Sequence, residues 1–132
     1  MVNSSILNKY TPYALALLRI VTSLIFLAHG IQKLFGFPAP PASGFPAAMS
    51  LLWAGGIIEL VGGTMLLLGL FTRPTAFILS GQAAVAYWMF HAPKSFYPIL
   101  NGGDAIILYC FVFFLFVFTG PGALSIDRYR TS

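Results

Sequence analysis

The chain has 132 residues, 58% of them hydrophobic and only 8% charged. A soluble domain carries about 25% charged residues, so this chain cannot cover a water-facing surface and reads as an integral membrane protein. Its net charge of +4 comes from seven basic and three acidic side chains scattered singly, with no basic run. That pattern excludes a nucleic-acid surface and ties the basic excess to orientation in a membrane.

One compact unit spanning residues 1–132 is expected at this length. No basic n-region or small-residue cleavage site precedes the first apolar run, so no cleaved signal peptide is expected. The first predicted span runs from about Pro12 to Phe35, with Pro12 suited to a first helical turn. Arg19, Ser23, Gly30 and Lys33 fall within roughly 40° of one line on this helix, with Thr22 and His29 beside them. Leu, Ile, Val, Ala and Phe fill the rest, so the polar stripe should face protein or water and the opposite side lipid. Gly36 to Pro46 carries four prolines and is predicted as a non-helical loop.

The second span runs from about Ser50 to Phe71 and holds Glu59 in an apolar run. Gly55, Gly56, Gly62 and Gly63 sit at i−4, i−3, i+3 and i+4 from Glu59, on its own helix face. Glycines there let another helix come close. Thr72-Arg73-Pro74 reads as a tight turn, and the third span follows from about Pro74 to His91. Pro93 to Gly103 reads as a loop. The fourth span runs from about Asp104 to Thr119, closed by Gly120-Pro121-Gly122 and a polar tail. The last two are short against a span of about 20 residues and call for upright helices or a thinned bilayer. Cys110 is the only cysteine, so no internal disulfide or CxxC pair exists, and it reads as a small core residue. No internal repeat is present. The fold class expected is all-α, a four-helix transmembrane bundle.

Four spans put both termini on one side, with Lys9, Arg73, Arg128 and Arg130, against Lys33 and Lys94 on the other. The positive-inside rule then places the termini in the cytoplasm.

An ionisable group inside an apolar helix is costly and marks a functional-site candidate. Counted from the predicted cytoplasmic helix ends, Arg19 lies roughly 9 Å up, Glu59 roughly 18 Å, and His29, His91 and Asp104 roughly 22–24 Å. Two readings of Glu59 follow. It is a structural partner of Arg19 holding the first two helices in register, or a protonatable carboxyl in a binding pocket. A second polar cluster gathers at the outer end: His29, Lys33, His91, Lys94, Asn101 and Asp104. Two histidines and an aspartate at one depth suit a metal, but no known ligand spacing is matched, so no metal site is expected. A wet rim with His–Asp hydrogen bonds is the plainer reading. Tyr87, Trp88, Phe90, Phe96 and Tyr97 surround it, as an interfacial belt or as a stacking wall for a ring-shaped lipophilic ligand such as a quinone.

At these residues the chain resembles the DoxX family of small bacterial membrane proteins. The matching pieces are Leu17-Leu18-Arg19, Phe26 to Leu34, Gly55 to Gly63, Gly69 to Pro74, Asn101 to Asp104, and Gly120-Pro121-Gly122 with Ser125-Ile126-Asp127. They touch all four predicted helices. The resemblance implies a four-helix protein of the bacterial inner membrane. It also implies links to quinone-dependent thiosulfate oxidation or a terminal quinol oxidase in some relatives, and to oxidative-stress proteins in others. The chain has no cysteine pair and no evident haem or flavin site, so electrons passing through it would need a quinone or a partner subunit.

The function expected is a membrane subunit or accessory of a quinone-linked oxidoreductase. Glu59 and Arg19 are its candidate catalytic residues, and Arg19, His29, Lys33, Glu59, His91 and Asp104 its candidate ligand-binding residues. The bilayer, quinone, other redox subunits and a second copy of the chain are the expected partners, and nucleic acid is not. Two alternatives remain: a transporter or channel for a small solute or lipid using the same stripe, and a membrane scaffold.

Overall fold

The Asn3 side chain accepts the Ser5 N–H at 3.0 Å and starts a helix two turns earlier than the proline had suggested. Helix α1 runs Ser4–Phe35, so Pro12 lies inside it. Gly36 ends it in the left-handed conformation, φ 71°. The computed structural model describes residues 3–131, and among these there is no strand. The predicted loop after α1 is found, lacking any helix until Ser50 caps Trp53 N–H at 3.2 Å and opens α2, Leu51–Leu68. Gly69 and Leu70 close α2 by donating to Leu66 and Met65.

Thr72-Arg73-Pro74 is not the turn expected. It is the first turn of α3, Thr72–Ala86, and the chain reverses three residues earlier, over Gly69–Phe71. The reason lies far along the chain. The carboxylate of Asp127 accepts the N–H groups of Phe71 and Thr72 at 2.7 and 2.8 Å, capping α3 from outside. Beyond Ala86 the helix widens into a π turn, Tyr87–His91, then tightens into a 3₁₀ turn, Ala92–Lys94. The predicted loop that follows contains one short helix, α4, Pro98–Asn101. Helix α5 covers Asp104–Thr119, the predicted fourth span, and the polar tail forms α6, Ile126–Thr131.

Helix α1 packs on α2, α2 on α3, and α3 on α5. Helix α5 returns to α1 through rings: Phe26 meets Tyr109 and Phe113 edge-on, at centroid distances of 5.3 and 4.9 Å. Phe26, Leu66, Ala76, Leu79, Phe113 and Phe116 form the core. The polar stripe of α1 faces protein as expected. Arg19, Thr22, Ser23 and Gly30 are buried, whereas Leu17, Val21, Leu24 and Ile25 are exposed. Phe77, Ile78, Leu108 and Phe111 extend this exposed apolar surface over α3 and α5. Water would not tolerate so large an apolar patch. Helices α1 and α2 are long and apolar enough to cross a membrane, and α5 is a shorter apolar helix.

Candidate ligand cavity

The register of α1 on α2 is set by glycine. A Cβ at Gly30 would stand 3.0 Å from both Glu59 Cβ and the Leu60 backbone nitrogen, so the two helices touch there. Glu59 is therefore level with Gly30, and Lys33 lies one turn further up the same face. The Lys33 ammonium bonds Glu59 Oε1 at 2.8 Å, with the two side chains 28% and 10% exposed.

The expected Arg19–Glu59 pair does not form. Arg19 is completely buried, and its guanidinium donates to the carbonyl oxygens of Pro121, Ala123 and Leu124, the last at 2.7 Å. It is a clasp holding the segment after α5 against α1. Gly69 packs over it, since a Cβ there would lie 3.3 Å from Arg19 Cζ. Arg73 does similar work, donating to the carbonyls of Val117 and Phe118 at 3.0 and 2.6 Å. Most of the polar residues in Gly69 to Pro74 and Gly120 to Asp127 thus build this end of the molecule.

At the opposite end, α1, α2, α3, the π turn and α5 line a half-open cavity of about 590 Å³. Its walls are mostly apolar, with Phe26, Ile58, Val85, Phe90 and Ile106 among them. His29, Lys33, Glu59 and His91 line it, which brings four of the six sequence-predicted residues together. Arg19 and Asp104 do not line it. Asp104 is exposed at the start of α5, while the next two residues, Ala105 and Ile106, reach the cavity.

The predicted His–Asp rim is replaced by a knot around Asn101. His91 Nδ1 lies 3.0 Å from the Asn101 carbonyl oxygen, and the Asn101 amide donates to the Tyr87 hydroxyl and the Ser95 carbonyl. The π turn presents His91 here, stacked on Tyr87 with only 12° between their planes. Such π turns recur at functional sites. Of the expected aromatic wall only Phe90 lines the cavity, while Trp88, Phe96 and Tyr97 are exposed. Among the described residues no three His, Cys, Asp or Glu side chains cluster so as to hold a metal.

Two cavity residues escaped the sequence reading. Gln82 of α3 donates from Nε2 to the Gly55 carbonyl at 3.1 Å. Its signal was being an amide in an apolar helix. Tyr109 of α5 lies edge-on to His29 at 6.1 Å. Its signal was a hydroxyl amid phenylalanines. Two acceptor oxygens in this group, Glu59 Oε2 and Gln82 Oε1, are buried without a hydrogen bond.

An apolar outer surface over a few buried charged side chains is the pattern of a helical membrane protein. The family model for DoxX matches residues 14–92, from α1 through the π turn, and the chain belongs to the DoxX family. A protein of Haemophilus influenzae, named only as uncharacterized, is 46% identical over 126 residues, 92% of this chain and 94% of its own. The inner membrane protein YphA of Escherichia coli is 30% identical over 127 residues, 89% and 90% of the two chains. CatD of Bacillus subtilis, provisionally named an oxidoreductase, is 35% identical over 71 residues, about half of each chain at 51% and 52%. No solved structure matches this chain.

Proposed function

We propose that this DoxX-family protein is an inner-membrane subunit or accessory of a quinone-linked oxidoreductase, and that its outer cavity receives the quinone ring. The observation that carries this reading is the cavity itself. At about 590 Å³ it lies in the usual size range for small-ligand sites, with apolar walls and a few fixed polar groups. The Lys33 ammonium and the Tyr109 hydroxyl supply donors for ring oxygens, and Phe26 and Phe90 supply apolar walls. A quinone held there would pass electrons to or from a partner subunit. By resemblance, the donor side is of the thiosulfate or quinol type. The oxidoreductase name of CatD agrees with this class of activity.

In this reading α1, α2, the α3–π segment and α5 all cross the bilayer, with both termini cytoplasmic. The transporter alternative is less well supported. Phe26, Leu66, Leu79, Phe113 and Phe116 fill the interior, and Phe26 sits on α1 between Arg19 and Lys33, so the polar stripe is not a continuous path. The test is mass spectrometry of lipid extracts from protein purified in mild detergent. A stoichiometric quinone is the expected result. Quinone absent from protein purified out of quinone-replete membranes would overturn the reading and favour a scaffold.

A further inference from the structure

The end bearing the termini holds a second, more open cavity of about 900 Å³. Its lining comes from the N-terminal half of α1, the start of α3, the segment after α5, and α6. Leu15, Phe71, Pro12, Pro74 and Pro121 make part of that lining apolar. Arg73, Arg128 and Arg130 line it together with one carboxylate, Asp127. That carboxylate is already engaged, its two oxygens accepting the Phe71 and Thr72 N–H groups at 2.7 and 2.8 Å. The charged side chains of the cleft therefore leave two positive charges in excess. A cleft of this kind attracts an anion.

Two of the guanidiniums present donors that suit a phosphate. Arg73 spends Nη1 on the Val117 and Phe118 carbonyls. Its Nη2 lies beside Gly120, where a Cβ would stand only 3.2 Å away, so no side chain covers it from that direction. Arg130 sits over the Phe71 ring at 4.6 Å. Stacking occupies the face of a guanidinium and leaves its N–H edge for an anion, which a phosphate meets with two oxygens at once. Tyr10, Tyr13 and Tyr129 are exposed at the same end, the setting tyrosine favours at the headgroup level of a bilayer. We infer that this cleft binds the phosphate headgroup of an anionic phospholipid, held by Arg73 and Arg130, with the upper acyl chain against the apolar lining. Basic pockets between helices at the cytoplasmic face are suited to such headgroups. A soluble phosphate shares the headgroup chemistry but leaves the apolar lining unused. The site is separate from the outer cavity, and its occupancy does not depend on what the outer cavity holds.

The experiment is native mass spectrometry of the wild-type protein in mild detergent, titrated with dioleoyl phosphatidylglycerol and, separately, dioleoyl phosphatidylcholine. The expected result is one phosphatidylglycerol bound roughly tenfold or more tightly than phosphatidylcholine, the size of effect that two uncompensated cations supply near a lipid headgroup. Arg130→Gln, checked for folding by its melting curve, should lose that preference severalfold. Lys9→Gln removes a cation from the same end but outside the cleft, and should keep the preference. Equal binding of the two lipids by wild-type protein would overturn the proposal whatever the variants do. Equal losses in Arg130→Gln and Lys9→Gln would also overturn it, since the attraction would then belong to the diffuse charge of that end. Displacement of phosphatidylglycerol by an equal concentration of sn-glycerol 3-phosphate would assign the cleft to a soluble phosphate and overturn the lipid.

Discussion

Lys33, not Arg19, is the partner of Glu59, and the reason is axial distance. Arg19 lies eleven residues below Gly30 on α1, about 16 Å along the axis, beyond the reach of its side chain. Lys33 lies three residues above Gly30, and its flexible stem brings the ammonium back to the carboxylate. Removing the lysine strands a buried carboxylate. Lys33→Met should lower stability in detergent by about 3 kcal/mol, the low end for a buried pair because this lysine is partly exposed. Lys33→Met/Glu59→Leu should recover most of that loss. A double-mutant cycle of Arg19 with Glu59 should show coupling below about 0.5 kcal/mol, as for independent sites. Thermal melts of the two cycles check both statements.

At the scale of the elements, the helix faces were legible in the sequence and their axial offsets were not. Periodicity placed Arg19, Ser23, Gly30 and Lys33 on one buried side of α1, and the glycines around Glu59 marked the face that meets it. Periodicity says nothing about how far one helix slides along another. The lower end of α2 packs level with Arg19, through Gly69, rather than level with Pro12. That offset moved Glu59 up beside Gly30 and His29. The starts of α1 and α3 were misplaced for a related reason. One depends on the Asn3 cap, the other on an aspartate 55 residues further along the chain. No local pattern at Thr72-Arg73-Pro74 announces that aspartate. Gln82 was equally hidden, since a single amide has no spacing to read, and Asn101, though placed in the outer cluster, gave no sign of its bonds to Tyr87 and Ser95.

The cap on α3 has a pH signature. Burial alone would raise the Asp127 carboxyl, but the Thr72 and Phe71 N–H groups, together with Arg130, outweigh it and hold the pKa below the ordinary aspartate value. A depressed pKa means the cap stabilises the fold fully above the unfolded value of about 3.9 and loses that contribution as pH falls through the folded value. Asp127→Ala should cost about 1 kcal/mol near neutrality. The gap between variant and wild-type melting curves should be constant from pH 7 to pH 5 and close below pH 4.

At the scale of the whole molecule, the two ends differ in kind. The end bearing the termini is tied together by Arg19, Arg73 and Asp127, each bound to backbone groups, around a shallower and more open cavity of about 900 Å³. The other end opens between four helices. In the proposed topology of four bilayer crossings, the basic residues at the end bearing the termini predict that both termini are cytoplasmic. A C-terminal reporter active only in the cytoplasm is expected, and activity only in the periplasm would contradict the topology.

The central claim is that the outer cavity holds a quinone ring, and Gly81 offers the most direct test. It lines the cavity, and a Cβ built there meets nothing within 4 Å. A phenylalanine at this position would start from an unobstructed Cβ on the cavity wall, would narrow the cavity with its ring turned inward, and would replace a residue that weakens helices. The measurement is quinone-analogue titration of wild-type and Gly81→Phe protein, each with a melting curve. Saturable binding by wild type, weakened by about tenfold or more in an equally stable Gly81→Phe, is the result predicted. Equal affinity in the two folded proteins would contradict the assignment of this cavity as the quinone site.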